Sequence, residues 1–141
     1  MSLADLFPLG TYEEVHDILA NFDLLNKMPC DLNTKISTTS TGLSGGEARA
    51  FIVASQVWRA IKNNSNILIL DEPTREMDID TSTKIFEYIR SNYKGVIFVT
   101  MHEENLKKYL SKWITQIWNF RKPVIGEPLT FSVENVCHSH E

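Results

Sequence analysis

The sequence lacks the features of several large classes of protein. No apolar run among its 141 residues reaches about 18, the length that suggests a membrane span. The N-terminal stretch MSLADLFPLG has neither a basic part nor a long apolar part, which argues against a secretory signal. Only two cysteines occur, Cys30 and Cys137, and two distant thiols are typical of a reduced, cytoplasmic chain. Lys and Arg number 14 against 18 Asp and Glu, a net charge of −4, so no nucleic-acid partner is expected.

Phosphate-binding patterns are also scarce. The P-loop, G-x-x-x-x-G-K-[ST], is absent, because no glycine is followed by Lys and then by Ser or Thr. One phosphate-binding pattern remains, the run Ser44, Gly45, Gly46, Glu47 directly before a helical pattern. Ser44 and Glu47 form a capping box, helix N-termini bind anions, and glycine allows close backbone approach. The sequence therefore predicts a phosphate contact without the cradle that normally accompanies it.

Capping and periodicity predict four helices and three strands. The helices are expected over 11–22, 45–62 and 80–92, with a further short one over 103–113. Short apolar runs predict strands at Ile67 to Leu70 and at 96–102, both buried on two faces as in a parallel sheet. A third strand is expected within 114–120.

This order predicts an α/β domain with a small, mostly parallel sheet flanked by helices. A helical subdomain of about 8–62 precedes an α/β part of about 63–122, and together they form a domain over 1–125. Residues 126–141 show little periodicity and are expected to be a flexible tail. The tail ends in CHSHE, whose side chains are metal-ligand types, although a floppy segment is the favoured interpretation.

Polar residues follow two of the predicted strands. Asp71 and Glu72 come directly after the first, and His102 ends the second. Ligands of open α/β sheets bind at the carboxyl ends of strands. Asp71 is placed to hold Mg²⁺ through water, Glu72 to polarise an attacking water, and His102 to donate to a terminal phosphate. The sequence therefore predicts a phosphoryl-transfer edge.

Four motifs in order resemble the C-terminal part of the nucleotide-binding domain of ATP-binding-cassette (ABC) transporters, a P-loop NTPase-like fold. LSGGE (43–47) matches the signature, ILILDEPT (67–74) matches Walker B, REMD (75–78) matches the D-loop, and VIFVTMH (96–102) matches the switch strand with its His. The resemblance covers about residues 5–120, and the A-loop, Walker A and Q-loop are absent.

The resemblance implies a composite ATP site between two nucleotide-binding domains. Ser44, Gly45, Gly46 and Glu47, with Asp78 of the D-loop, would contact ATP bound to another domain. Asp71 would hold Mg²⁺, with Glu72 and His102 catalytic, on ATP gripped by a P-loop from another polypeptide. A Walker A-bearing chain or second ABC domain is thus the expected partner. The chain is expected to form an oligomer, and its ATP hydrolysis is expected to be coupled to transmembrane export. Transmembrane subunits would then hold it at the cytoplasmic face of a membrane.

Two other interpretations stay open. A catalytically inactive docking module that regulates an ABC protein is favoured by Ser37-Thr38, which replace the family's Gly-Glu pair, and by a long helix after the signature. An ATPase head of the SMC or recombination-repair type also fits LSGGE, although DEPT and His102 fit transporters better and no coiled coil is predicted. In every case ATP hydrolysis requires Walker A from elsewhere.

Overall fold

A computed structural model describes residues 2–27, 42–101, 110, 113–120 and 130–136. The chain divides into two compact units, Met1–His102 and Glu103–Glu141, and each is described by itself. None of the helices in the described ranges is both long and apolar enough to cross a bilayer. Most of the predicted helix over 103–113 lies outside the described residues.

The described residues of the first unit form four α-helices and one short 3₁₀ turn. They are α1 (Leu3–Leu6), α2 (Tyr12–Asn21), the 3₁₀ turn (Leu25–Lys27), α3 (Gly45–Lys62) and α4 (Ile79–Asn92). The predicted capping boxes of α2 and α3 are both present. Helix α1 was not predicted, although Ser2 and Asp5 form the same kind of box and the pattern S-x-x-D is visible in the sequence.

The core of this unit forms around α3. Its inward residues Phe51, Val53, Ala54 and Val57 are almost fully buried, and α3 contacts α1, α2 and β1. Arg59 joins α1 to α3, because its guanidinium donates to the carbonyl oxygens of Asp5 at 2.8 Å and Leu6 at 3.0 Å. Helices α1 and α2 and strand β1 therefore pack on the helix that begins with Gly45 and Gly46.

The sheet of the first unit has two parallel strands, β1 (Ile67–Asp71) and β2 (Val96–Thr100). They are connected through α4, as the α/β prediction requires. Their register pairs Ile67 with Val96 and Asp71 with Thr100. The two strands therefore end side by side, and their last residues are neighbours.

The prediction that both strands are buried on two faces was wrong. Leu68 and Leu70 are buried, but Ile67 and Ile69 are 56% and 68% exposed. Val96 and Phe98 on β2 are likewise exposed, at 57% and 45%. Side chains alternate between the faces of a strand, so the described helices cover one face of the pair, and these four apolar side chains are exposed on the other. We call Ile67, Ile69, Val96 and Phe98 the open sheet face.

The second unit contains an antiparallel pair, β3 (Gln116–Phe120) and β4 (Phe131–Asn135). The third strand was thus predicted correctly as a strand, but it pairs with β4 and is not part of the parallel sheet. Strand β4 lies within 126–141, the segment expected to be a flexible tail. Trp118 and Phe131 stack across the pair with ring centroids 5.7 Å apart, an aromatic cross-strand contact that helps to hold this register.

Candidate functional site

The carboxyl ends of β1 and β2 bring two sequence-predicted acidic residues next to Thr100. The Thr100 hydroxyl donates to Oδ1 of Asp71 at 2.5 Å. The backbone N–H of Glu72 donates to the Thr100 hydroxyl at 3.0 Å and to the Thr100 carbonyl at 3.2 Å. A single residue at the end of β2 therefore fixes both the side chain of Asp71 and the backbone of Glu72.

Glu72 adopts an unusual backbone conformation. Its φ is +43°, the left-handed region, which costs a non-glycine residue roughly 1–2 kcal/mol. The Arg49 guanidinium, from α3, donates to the carbonyl of Glu72 at 2.9 Å and to that of Asp71 at 3.3 Å. The Glu72 carboxylate pairs with Arg75 at 3.2 Å. The turn that presents Glu72 is thus held by contacts from outside β1.

The N-terminus of α3 is closed by the predicted capping box. The Glu47 N–H donates to the Ser44 hydroxyl at 3.1 Å, and the Ser44 N–H donates to the Glu47 carboxylate at 2.7 Å. Lys27 lies 2.9 Å from the same carboxylate. The Ser44 N–H, followed by Lys27, lowers the pKa of Glu47 below its usual value. Glu47 therefore has a local structural role as an ionised cap.

Glu76 lies against the two signature glycines. A Cβ at Gly45 would lie 2.2 Å from the Glu76 carboxylate, and a Cβ at Gly46 would lie 2.3 Å from the Glu76 carbonyl oxygen. Glu76 itself has φ +67°. Within the described residues, the N–H groups of Gly45 and Gly46 donate to no carbonyl or side chain. Glycine is therefore required at position 46, where backbone atoms would be hit, whereas at Gly45 only the end of the Glu76 side chain would have to move. Two backbone donors remain at the helix start.

Asp78 is the N-cap of α4. Its carboxylate accepts hydrogen bonds at 2.8 Å from the N–H of Thr81 and, through its other oxygen, from the Thr81 hydroxyl. The Thr81 N–H, and then the Thr81 hydroxyl, lowers the pKa of Asp78. An ionised carboxylate at a helix N-terminus is also stabilised by the helix dipole.

The structure brings together some of the predicted site residues. Asp71 and Glu72 lie at the end of β1, while Ser44, Gly45 and Gly46 lie at the start of α3 and reach the same region through Glu76. His102 lies outside the described residues, as does the CHSHE segment. Sequence reasoning missed Arg49, Thr100 and Glu76. Thr100 was detectable as the polar last residue of a strand, whereas no sequence signal marked Arg49, whose partners are backbone carbonyls.

Asp71 is a suitable single ligand for a hard cation. Its Oδ1 is held by Thr100, and its Oδ2 accepts no hydrogen bond from the residues described. Carboxylate oxygen is the ligand type that Mg²⁺ prefers, and Mg²⁺ usually keeps several waters and substrate phosphates in its shell. In the described ranges no three His, Cys, Asp or Glu residues cluster to form a complete metal site. The geometry thus fits a cation that receives most of its ligands from elsewhere.

No protein-family model matches the chain. Its curated relatives include the "ATP-binding protein Uup" of Buchnera aphidicola subsp. Schizaphis graminum, 33% identical over 79 residues, which are 56% of this chain and 12% of that protein. Another is the "Uncharacterized ABC transporter ATP-binding protein YfmM" of Bacillus subtilis, 31% identical over 114 residues, or 80% of this chain and 19% of that protein. The chain thus spans less than a fifth of the length of these relatives.

A solved structure has a similar fold. The "Putative ABC transporter (ATP-binding protein)" from Pyrococcus furiosus superimposes with a TM-score of 0.51 and 26% identity, over 73% of this chain and 50% of that chain. The resemblance to part of an ABC nucleotide-binding domain is therefore confirmed. The α/β fold class is confirmed as well, as a partial P-loop NTPase-like fold.

Proposed function

We propose that this chain forms part of a composite ABC-type ATP site and, with a P-loop from elsewhere, hydrolyses ATP. The observation that carries the proposal is the paired strand end. Asp71 and Glu72 lie at the end of β1, held by Thr100 of β2. Acidic groups at the carboxyl ends of parallel strands stand where α/β folds bind their ligands. The relatives named as ATP-binding proteins support ATP as that ligand.

Each residue has a proposed role. Asp71 would hold Mg²⁺ through water. The bound cation would screen the phosphate charges. Glu72 orients the attacking water, and His102 donates to the terminal phosphate. Ser44, Gly45 and Gly46 contact the phosphate of a nucleotide on the opposite domain, with Glu47 fixing the helix start. Asp78 shapes the D-loop by capping α4.

The open sheet face supports a partner that carries Walker A. Parallel sheets are covered by helices on both faces, yet this face exposes four large apolar side chains. The match covers 50% of the solved ABC protein, so half of that protein has no counterpart in this sequence. A Walker A-bearing chain or second ABC domain is the proposed partner. Coupling to transmembrane export, through transmembrane subunits, remains a prediction from the sequence, as does a cytoplasmic location.

The test uses calorimetry and phosphate release. We expect the chain alone to bind MgATP weakly or not at all, and its mixture with a Walker A-bearing ABC half-domain to bind and hydrolyse ATP. Glu72→Gln should lower hydrolysis at least about a hundredfold and leave binding intact. Glu13→Gln, an exposed acid on α2, is the matched control and should change neither. A mixture that binds no nucleotide would overturn the proposal.

A second function is favoured by one observation, the contact of Glu76 with the signature glycines. Glu76 occupies the space beside Gly45 and Gly46 where a Cβ would lie, and Gly46 is buried while Gly45 is exposed. A docking module that binds an ABC protein without nucleotide is consistent with such a partly covered signature. The two functions differ in one measurement, because only the first predicts that Glu72→Gln changes phosphate release from the assembled complex.

A further inference from the structure

Arg49 connects two motifs that lie far apart in sequence. It lies on α3, five residues after Ser44, and its guanidinium reaches the carbonyls of Asp71 and Glu72 at 3.3 and 2.9 Å. The side chain is partly buried. A single guanidinium nitrogen, Nη1, therefore donates to two consecutive carbonyls at the turn that follows β1.

This contact falls where the backbone needs support. Glu72 is in the left-handed region with φ +43°, and Pro73 follows it, so the turn has one backbone N–H fewer to stabilise it. The Thr100 carbonyl and hydroxyl bind the Glu72 N–H from one side. Arg49 binds the Glu72 carbonyl from the other. The peptide groups on both sides of the Glu72 Cα are thereby fixed.

Arg49 and Arg75 act on different parts of Glu72. Arg75 pairs with the carboxylate, which is the group proposed to orient water, and this pair must break or shift for that role. Among the described residues, Arg49 donates to backbone oxygens and not to the Glu72 carboxylate. It can therefore remain in place throughout a reaction cycle.

We infer that Arg49 is a positioning residue that sets the orientation of Glu72 and couples it to the signature end of α3. This rests on the proposed function. In a composite site the signature and Glu72 of one chain serve two different nucleotides. Arg49 supplies a rigid connection between them inside the chain, so a shift of α3 when the signature meets phosphate is transmitted to the backbone of Glu72.

The first experiment uses the chain alone and hydrogen–deuterium exchange of the 67–76 segment. Arg49→Ala should speed exchange of the Glu72 amide roughly tenfold or more, because a charged hydrogen bond to the turn is lost. Arg49→Lys should give an intermediate rate, since it keeps a charged donor on a shorter side chain that cannot place its nitrogen at the same point. It serves as the test variant if Arg49→Ala does not fold. The matched control is Arg59→Ala, whose lost partners are the carbonyls of Asp5 and Leu6. It should speed exchange near α1 and leave Glu72 unchanged.

The second experiment uses the assembled ATPase. Arg49→Ala should lower kcat roughly tenfold or more with KM for ATP within about twofold, since orientation of Glu72 is lost and nucleotide contacts are kept. Equal Glu72 exchange in Arg49→Ala and Arg59→Ala would overturn the inference, as would an unchanged kcat. If wild type shows no hydrolysis, the proposed function has failed, while the exchange rates still decide whether Arg49 holds the turn.

Discussion

Gly46 and the carbonyl of Glu76 are in direct contact, so close that a Cβ on Gly46 would lie 2.3 Å from that oxygen. This places the signature helix against the segment that follows Walker B. The contact explains why the second glycine of LSGGE must be glycine, independently of any nucleotide.

Gly46→Ala is expected to destabilise the chain. The new methyl group would meet backbone, which cannot swing aside, and overpacking of this kind costs roughly 1–3 kcal/mol. Urea unfolding followed by circular dichroism measures the effect. Gly45→Ala is the matched control, because its neighbour is the mobile end of the Glu76 side chain, and its free energy of unfolding should change by about 0.5 kcal/mol or less. Equal losses in both variants would contradict this account.

Thr100→Val should loosen the ends of the two strands. The substitution keeps the shape but removes the hydroxyl that donates to Asp71 and accepts from Glu72. The site is exposed, so we expect a loss of about 1 kcal/mol in the free energy of unfolding. Thr100→Ser retains the hydroxyl and should recover most of that loss. Valine and serine variants of equal stability would show that the hydrogen bonds do not hold this edge.

Asp78 should contribute to the acid sensitivity of the fold. Its pKa is lowered in the folded chain by the Thr81 N–H and hydroxyl, so the native state favours the ionised carboxylate. The resulting stability is present above the unfolded pKa of about 3.9 and is lost as pH falls through the lower folded pKa. Asn caps helices almost as well as Asp but does not titrate. The midpoint temperature of thermal unfolding should therefore fall less steeply between pH 6 and pH 2 for Asp78→Asn than for wild type. Parallel plots of that temperature against pH would contradict the assignment.

The open sheet face should drive self-association of the isolated chain. Exposed apolar patches mark interfaces or aggregation sites, and Ile69 is 68% exposed within this one. Sedimentation velocity should show oligomers or aggregates for wild type and a shift toward monomer for Ile69→Lys. Leu9→Lys, which removes an isolated exposed apolar residue on another part of the first unit, should leave the distribution unchanged. A monomeric wild type with a sharp thermal transition would refute this prediction.

The helices and the order of elements were predictable because their signals are local. The capping boxes at Thr11 and Ser44 lie within four residues of the helices that they start, and the apolar run at Ile67 marks a strand wherever it packs. The four motifs likewise identified the ABC resemblance, which the relatives confirm. These features depend on neighbours along the chain, so the sequence by itself determined them.

The pairing of strands and the supports of the site were decided by tertiary structure. An apolar run looks the same whether one face or two is covered, so the open sheet face was not predictable from Ile67 to Leu70 alone. The pattern of residues 116–120 predicts a strand whether it joins the parallel sheet or an antiparallel pair. Its partner, β4, is set by contacts between residues far apart in the sequence. Arg49 and Glu76 act through backbone atoms more than 20 residues away in sequence. A hydrogen bond to a backbone carbonyl does not depend on the side chain of the residue that supplies it, and for that physical reason only the folded chain reveals the contacts of Arg49.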